Sequence, residues 1–544
     1  MTALLLAAAP GSHVHASPTT VCTITVNSSD EKEAFRRGLP ADKYRFVELV
    51  EKGRPDWLAS ACHQGTRCDV LVISGHYDGR DEFYSDRPSV AEYLPVEEME
   101  RASCSKSCSG LFSQLKEVYL FGCNTLNPEA LKRYSPETYR SLVRSGHSPV
   151  DAERMARSLA LLHGGSSRDR MRVIFDDVPV IYGFSAKAPV GPVAASMLSN
   201  YFRSGGGGEI ASGRVSGKLL DHFHATSMTV SGGLSQSDPL ASLRRDYCPF
   251  SDDGPGPAQK LAFVHQLLDR DMAEAWPFFD RLEKYVDSLS NAQRAAPEVA
   301  LAFDDIARDA AARSRFLAFA RDADDPAVRA RMIKLAQRLG WLTHEDERGE
   351  LALLIRERLA VDVTPADVEL ACMLNDKHEL DATLPFIAAA LPPARTVGQA
   401  AVLACLGSAD ERAVVVPALT SASQRDFEMA QIYLKHHPLT DAHELRSIAA
   451  DIASAPDKMV QVRALDALAC QHVSDPESLN ALVRLFAVVK TPEVQAAIAG
   501  VLLRSDYDAI ATPELAQSLR ANRIESEAPC ESVVDALIRR LDAR

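Results

Sequence analysis

The chain lacks a long apolar run, an excess of basic residues and the spacing of common metal or phosphate sites. No apolar segment approaches the ~20 residues that a membrane-spanning helix needs, so we expect no membrane span. Lys and Arg number 60 against 74 Asp and Glu, giving a formal net charge of −14. This balance argues against nucleic acid as a partner, because binding it requires a basic face.

The cysteines are not spaced as zinc ligands. Neither Cys62 with Cys68 nor Cys104 with Cys108 is flanked by a second Cys or His pair. The glycines before Lys218 do not form a phosphate loop either, since the spacing is wrong and the Mg²⁺-binding Ser or Thr is missing. We therefore expect no metal and no cofactor.

Residues 1–18 resemble the end of a secretory signal that lacks a positively charged start. The apolar run from Thr2 to Ala9 is followed by Pro10 and Gly11, and no Lys or Arg precedes it. One interpretation is a truncated signal segment whose true start lies upstream. The other is an N-terminal tail without structure.

Cysteine usage bears on the same question. Cys104 and Cys108, and likewise Cys62 and Cys68, are close enough in sequence to close small loops in an oxidising compartment. Three others lie in apolar helical stretches and are interpreted as small buried hydrophobic residues, namely Cys372, Cys405 and Cys470. We expect a periplasmic or secreted protein, with the cytoplasm as the alternative.

The length and the pattern predict two domains. A chain of 544 residues is too long for one hydrophobic core. Over residues 20–250, strand-like and helix-like segments alternate, which predicts an α/β domain with a mainly parallel sheet. Residues 251–257 are rich in Asp, Gly and Pro and are interpreted as a linker.

Residues 258–544 show helix after helix and no strand-like segment. Val328, Val460 and Val494 occupy similar helix openings and lie 132 and 34 residues apart, where 132 is about four units of 33. Helix pairs that repeat at this period predict an α-solenoid. An irregular helical bundle is the alternative.

Two apolar strands of the first domain end in the residues of a thiol–imidazole pair. The run from Cys68 to Ser74 ends at Gly75-His76-Tyr77-Asp78, and the run from Val118 to Phe121 ends at Gly122-Cys123. The carboxyl ends of parallel strands meet at one edge of a sheet, so we expect His76 and Cys123 side by side. A Cys beside a His is the minimal apparatus for covalent acyl transfer.

The order of these segments resembles a known family. A strand ending in Gly-His76 is followed 47 residues later by Cys123-Asn-Thr, then by an amphipathic helix, the strand Val180–Ser185 and another helix. This order resembles the caspase-like fold of clan CD cysteine peptidases, most of all its bacterial CHAT-type branch, over about residues 20–205. The Asp-Pro-x-Val and Thr-Pro-Glu-Val openings beyond residue 258 resemble HEAT repeats.

The resemblance implies a cysteine endopeptidase with His76 as general base and Cys123 as nucleophile. Backbone groups around these residues (Gly75, Tyr77 and Gly122) are expected to form an oxyanion site, and Asp78 and Ser185 are expected to contact substrate. The alternative for Asp78 is that the acidic loop after His76 is simply solvated. The substrate would be a protein or peptide, and the helical repeats would bind a protein partner. The alternatives are a catalytically inactive caspase-like scaffold and a flavodoxin-like domain with a small-molecule site.

Two residues depart from the family pattern. Tyr77 follows the His where much of the family has Gly, and its side chain is expected to crowd the oxyanion position. Phe121 stands two residues before Cys123, where branches that cut after basic residues have Asp. Cleavage specificity is therefore left open.

Overall fold

The computed structural model describes residues 18–49, 58–79, 81–85, 92–108, 110–129, 136–163, 165–505, 511–524 and 533–542. The predicted signal segment thus lies almost entirely outside the described residues. The chain divides into two compact units. The first comprises residues up to Asp322 together with Leu339–Trp341, and the second comprises Ala323–Arg338 together with the chain from Leu342 onward.

The first unit is built on a six-stranded sheet and carries a small three-stranded one. The larger sheet has the order β2-β1-β3-β7-β8-β9, in which only the edge strand β9 is antiparallel. The smaller sheet is antiparallel, with the order β4-β5-β6. The strands are β1 (Thr19–Thr25), β2 (Tyr44–Glu48), β3 (Val70–Ser74), β4 (His76–Tyr77), β5 (Glu82–Tyr84), β6 (Tyr93–Pro95), β7 (Glu117–Phe121), β8 (Val180–Phe184) and β9 (Met228–Ser231).

Helices cover both faces of the larger sheet, which explains why its central strands are continuously apolar. The helices of the first unit are α1 (Asp30–Gly38), α2 (Ala59–His63), α3 (Val96–Cys104), α4 (Pro136–Arg144), α5 (Pro149–His163), α6 (Ser167–Ile174), α7 (Gly191–Arg203), α8 (Gly217–His222), α9 (Leu240–Ser251), α10 (Pro257–Leu268), α11 (Met272–Ala275), α12 (Phe279–Ser288), α13 (Asn291–Arg294), α14 (Pro297–Arg308) and α15 (Ala310–Arg321).

Side chains alternate between two hydrophobic cores along each central strand. On β3, Leu71 and Ile73 pack with α3 and α6, whereas Val70 and Val72 pack with α1 and α7. On β7 the corresponding alternation puts Tyr119 and Phe121 on the α1/α7 face. The predicted α/β domain with a mainly parallel sheet is confirmed in this general class.

The predicted linker 251–257 lies inside the first unit. Helix α9 ends at Ser251 and packs on α3, and a disulfide bond between Cys104 and Cys248 joins these two helices. Helix α10 begins at Pro257 and packs on α9 in turn. The turn-rich segment is therefore a loop between packed helices, and the first helices after it belong to the same unit as the sheet.

The second unit is helical throughout its described residues. Alternate helices pack on each other: α18 against α20 and α22, α23 against α25, and α24 against α26. No described helix has the length and apolarity required to span a bilayer. The helices are α16 (Pro326–Arg338), α17 (His344–Leu359), α18 (Pro365–Leu374), α19 (Leu384–Ala388), α20 (Val397–Cys405), α21 (Ala409–Val415), α22 (Gln424–His436), α23 (Ala442–Ser454), α24 (Lys458–Leu468), α25 (Pro476–Val488), α26 (Pro492–Arg504), α27 (Pro513–Asn522) and α28 (Val533–Asp542).

Four disulfide bonds correct the predicted pairing of cysteines. The short loops Cys104–Cys108 and Cys62–Cys68 are wrong, because each of these cysteines faces a partner on a remote segment. Cys372 and Cys405 are paired rather than free, and Cys470 is exposed rather than buried. The bonds, with their Cα–Cα distances, are Cys22–Cys68 (5.6 Å), Cys62–Cys108 (4.7 Å), Cys104–Cys248 (5.0 Å) and Cys372–Cys405 (4.7 Å).

Candidate active site

The predicted site residues follow two neighbouring parallel strands. Strands β3 and β7 pair in parallel, with Val70 opposite Glu117 and Ser74 opposite Phe121 at their carboxyl ends. His76 lies two residues beyond Ser74, and Cys123 lies two residues beyond Phe121. The two residues therefore occupy equivalent positions beyond neighbouring strands.

The two segments stay in contact beyond the paired residues. The Gly75 N–H donates to the Phe121 carbonyl oxygen at 3.2 Å. A Cβ atom on Gly122 would lie 2.9 Å from the Gly75 carbonyl oxygen and 3.0 Å from the Tyr77 Cβ, which is why glycine fits at position 122. The structure thus brings the backbone on both sides of His76 against the residue that precedes Cys123.

His76 and Cys123 each lie near a side chain whose core is known. Phe121, two residues before Cys123, packs in the core beside α1 and α7. Tyr77, directly after His76, packs in the core beside α3 and α6. Both His76 and Cys123 are half-buried.

The Tyr77 side chain packs in the core of the first unit. Its ring is 4% exposed, packs in the core beside α3 and α6, and stacks on Phe83 with ring centroids 4.8 Å apart. Burial of the phenol raises its pKa to about 12, although Arg170 opposes this shift. The β4–β5 hairpin turns the ring inward, and crowding of the oxyanion position by Tyr77 stays a prediction.

The backbone donors of the predicted oxyanion site are partly used within the fold. The Gly75 N–H is occupied by the Phe121 carbonyl oxygen, so it is not available to a substrate oxygen. The Gly122 carbonyl oxygen accepts a hydrogen bond from the Thr125 hydroxyl at 3.2 Å. Of the three predicted backbone positions, Gly75 is thereby excluded as an N–H donor to substrate.

A tight turn presents Cys123 at the end of β7. Asn124 has a φ of +58°, a left-handed conformation that Asn tolerates better than most residues. Its N–H donates to the Ala186 carbonyl oxygen at 2.7 Å. The buried Thr125 hydroxyl accepts from the Phe184 N–H at 3.0 Å, so the turn is fixed to the end of β8.

The sulfur atom of Cys123 receives a backbone hydrogen bond. The Ala188 N–H, shortly before α7, donates to Cys123 Sγ at 3.3 Å. Cys123 is also free, whereas eight other cysteines are paired in disulfide bonds. Ala188 carries no sequence signal, because a backbone donor can be supplied by any residue except proline.

His76 lies in the β4–β5 hairpin, which is tied to the domain by its own loop. Its ring lies 5.5 Å from the Tyr84 ring. The Asp78 carboxylate accepts the Asp81 N–H at 2.8 Å and the Glu82 N–H at 3.2 Å. The Gly79 carbonyl oxygen accepts the Ser167 hydroxyl at 2.7 Å, so the loop after His76 is held to α6.

The two predicted substrate contacts have partners inside the fold. The Asp78 carboxylate closes the hairpin turn just described, and Asp78 is an exposed residue. The Ser185 hydroxyl donates to the Ser227 carbonyl oxygen at 3.3 Å. Both residues are therefore engaged in organising loops at the edge that carries Cys123.

Sequence reasoning missed a buried carboxylate near this edge. Glu31, at the start of α1, is 4% exposed and lies close to Ser74, the last residue of β3. Burial is the largest influence on its pKa and raises it, while hydrogen bonds with Ser74 and Ser28 oppose the shift. A charged residue in a helical pattern is normally exposed, so the pattern does not predict that Glu31 is buried.

A second buried carboxylate anchors the hairpin from the other side. Glu100 on α3 accepts from Arg170 Nε at 3.1 Å and from Arg281 Nη2 at 2.7 Å. Arg170 also donates to the Asp81 carboxylate at 3.3 Å. Glu100 is thus linked through Arg170 to the loop that follows His76.

Comparisons with known proteins do not assign the chain to a family. Neither a scan against protein-family models nor a search of curated proteins finds a match to it. The function must therefore be inferred from the geometry around His76 and Cys123.

Proposed function

We propose that the protein is a cysteine endopeptidase in which Cys123 is the nucleophile and His76 the general base. The observation that carries the proposal is the position of a free, half-buried thiol and an imidazole at equivalent positions beyond neighbouring parallel strands. A nucleophile and a base held on rigid strand ends need little rearrangement before reaction.

The chemistry follows from these groups. His76 takes the thiol proton, and the thiolate attacks the carbonyl carbon of a peptide bond. The imidazolium then gives its proton to the departing amine, leaving an acyl group on sulfur, and water releases the acid in a second step. The Ala188 N–H supports the first step because it already donates to Cys123 Sγ.

The sheet order supports a caspase-like domain as the setting for this chemistry. The strand that precedes His76, β3, and the strand that precedes Cys123, β7, are central, and the antiparallel strand β9 lies at one edge. This arrangement fits the order of His strand, Cys strand, helix and strand on which the family resemblance rests. The fold by itself does not establish activity, so the site must be tested directly.

The helical unit and the disulfide bonds complete the proposal. Alternate-helix packing in the second unit supports a HEAT-like solenoid, and such repeats offer extended surfaces for protein partners. We assign this unit the binding of a protein substrate or regulator. Four disulfide bonds support a periplasmic or secreted location, because disulfides are rare in reducing compartments.

Site-resolved alkylation tests the dyad, with Cys470 as the matched control. Cys470 is also free and is more exposed than Cys123. Unreduced protein is treated with iodoacetamide near pH 7, and mass spectrometry follows each cysteine separately. We expect Cys123 to react at least ~10-fold faster than Cys470, and His76→Ala to remove this advantage, because only Cys123 has an activating imidazole.

Turnover of denatured protein and peptide-library substrates provides the second readout. We expect Cys123→Ala to abolish cleavage, His76→Ala to reduce it by about 10²–10⁴-fold, and Cys470→Ala to leave it unchanged. If Cys123 reacts no faster than Cys470 and no substrate is cleaved, the inactive-scaffold alternative replaces the peptidase.

A further inference from the structure

Three residues of metal-ligating types lie at the ends of three helices of the second unit that pack on one another. Cys372 lies in the last turn of α18, Cys405 ends α20, and His437 directly follows α22. Their spacings are 33 and 32 residues. Helix α18 packs on both α20 and α22, and α20 packs on α22, so these helix ends meet at one place.

The three side chains form a compact cluster, here called the Cys2His cluster. One ligand atom from each of Cys372, Cys405 and His437 lies within 4.8 Å of the other two. Cys372 is 1% exposed and Cys405 is fully buried. In the structure the two sulfur atoms are joined in a disulfide bond.

The imidazole of His437 is suited to coordinate a metal ion. Its Nε2 atom is buried and has no hydrogen-bond partner among the described residues, a costly arrangement for a polar atom. Burial, and then the nearby charge of Arg412, lower the pKa of His437. A neutral imidazole is the form that coordinates a metal.

The nearest positive charge does not prevent a cation from binding. Arg412 donates to the His437 carbonyl oxygen at 3.4 Å. Its guanidinium is paired with the Glu444 carboxylate through two hydrogen bonds of 2.8 Å and 2.7 Å. The local charge is therefore largely balanced before any ion enters.

We infer that the Cys2His cluster binds a soft closed-shell cation, Zn²⁺ or Cu⁺, when the Cys372–Cys405 disulfide is reduced. Thiolate and imidazole are the ligands that both ions prefer. Three protein ligands suit trigonal Cu⁺, or tetrahedral Zn²⁺ with one position left for water. The ion joins the ends of α18, α20 and α22, whereas the disulfide joins only α18 and α20.

The redox step needs a dithiol as reductant. The dithiol transfers two electrons and two protons to the Cys372–Cys405 disulfide. The products are two protein thiols and the disulfide form of the reductant. The ion then displaces one proton from each thiol, while the neutral His437 loses none. The disulfide-bonded and ion-bound forms are therefore mutually exclusive.

Ion binding to the full-length reduced chain tests the proposal. The protein is reduced, freed of reductant without oxygen, and titrated with Zn²⁺ or with Cu⁺ against a chromophoric chelator. We expect one ion per chain to be held at this site, and Cys372→Ser, Cys405→Ser and His437→Gln each to weaken that binding more than ~10-fold. The oxidised chain should not bind the ion at this site.

Neighbouring residues provide matched controls. Cys470→Ser and His436→Gln remove a thiol and an imidazole outside the cluster, and Cys104→Ser removes a thiol released by reduction elsewhere. All three should bind like the wild type. Unchanged binding in the three cluster variants, or no binding of either ion by the reduced wild type, would overturn the proposal.

A measurement on the wild type alone covers the case in which a variant fails to fold. Bound Zn²⁺ or Cu⁺ should protect Cys372 and Cys405 from iodoacetamide in the reduced chain, while Cys470 stays reactive. Equal labelling of Cys372 and Cys405 with and without the ion would count against the site. Because neither readout involves Cys123, failure of this proposal is distinct from failure of the peptidase.

Discussion

Replacement of Glu100 by Gln tests how a buried ion pair supports the loop that carries His76. The Glu100 carboxylate is 5% exposed and binds one guanidinium with each oxygen. Arg170 and Arg281 are themselves 21% exposed in their side chains. The Gln variant keeps the shape of the side chain and removes the charge that both guanidiniums share.

The expected loss of stability in Glu100→Gln follows from the burial of the Glu100 carboxylate. Breaking a buried ion pair costs about 3–5 kcal/mol, because an uncompensated charge remains in a poorly solvated place. Glu97→Gln is the control, since Glu97 is on the same helix and pairs with Lys284 of the same partner helix α12. Those side chains are 56% and 67% exposed, so this change should cost less than about 1 kcal/mol.

The effect of Glu100→Gln should depend on pH. Burial opposes the Glu100 charge, but Arg281 and Arg170 outweigh it and hold the pKa of the carboxyl below its ordinary value. The pKa is therefore lower in the folded than in the unfolded chain, so the stabilisation is present above the ordinary carboxyl range. The stabilisation is lost as pH falls through the folded-state pKa of Glu100. The wild type and Glu100→Gln should therefore have similar free energies of unfolding at that pH.

Tryptophan fluorescence in urea gives the measurement. The two tryptophans among the described residues, Trp276 and Trp341, belong to the first unit, so their fluorescence follows the unit that contains Glu100. We expect Glu100→Gln to lower the urea midpoint strongly at pH 7 and Glu97→Gln to leave it nearly unchanged. Equal midpoints for the two variants at pH 7 would refute the reasoning.

Three further changes probe other buried groups. Asp367→Asn should destabilise the second unit by about 3 kcal/mol at pH 7, because the buried Asp367 carboxylate binds Arg358 and its pKa is held below the ordinary range despite burial. Urea unfolding followed by circular dichroism should show this loss at pH 7 and less of it near pH 3. Glu31→Gln should raise the melting temperature of the first unit at pH 8, because burial raises the pKa of Glu31 and stability then falls as pH rises through and above the ordinary carboxyl range. If Glu31→Gln melted at a higher temperature than the wild type by the same margin at pH 3 as at pH 8, burial of the carboxylate charge would not be the cause. Tyr77→Gly should cost about 3–5 kcal/mol, because it empties core space beside Phe83, and a folded variant with higher peptidase activity would show that Tyr77 obstructs the site.

The two central strands could be predicted because local sequence determines them. Continuous apolar runs that end in glycine predict buried parallel strands, and β3 and β7 are five-residue strands buried throughout. Parallel pairing then places the residues that follow at one edge. The placement of His76 and Cys123 at one edge of the sheet could therefore be predicted from these two strands alone.

Features that depend on the small second sheet could not be predicted. Strand β4 has two residues and β5 has three, too few to show a periodic pattern. Their pairing turns Tyr77 toward Phe83 and into the core. The direction of the Tyr77 ring is therefore a consequence of a contact that local sequence does not reveal.

The disulfide pairing and the Cys2His cluster could not be predicted for a related reason. Cys104 pairs with Cys248 at a sequence separation of 144, whereas proximity in sequence suggested Cys108. The spacings between Cys372, Cys405 and His437 match the helical period of about 33 residues. That match becomes meaningful only when α18, α20 and α22 are known to pack on one another.

The sheet itself separates the candidate nucleophile from the paired cysteines of the same domain. Cys22, Cys68 and Cys108 lie in the core beside α3 and α6, and Cys62 packs against that core. The sulfur atom of Cys123 accepts the Ala188 N–H, and Ala188 packs against the core on the opposite face of the sheet. Exchange requires a thiolate to reach a disulfide sulfur directly, and a sheet covered on both faces opposes that approach. A reactive thiol at Cys123 is therefore compatible with the disulfide bonds Cys22–Cys68 and Cys62–Cys108.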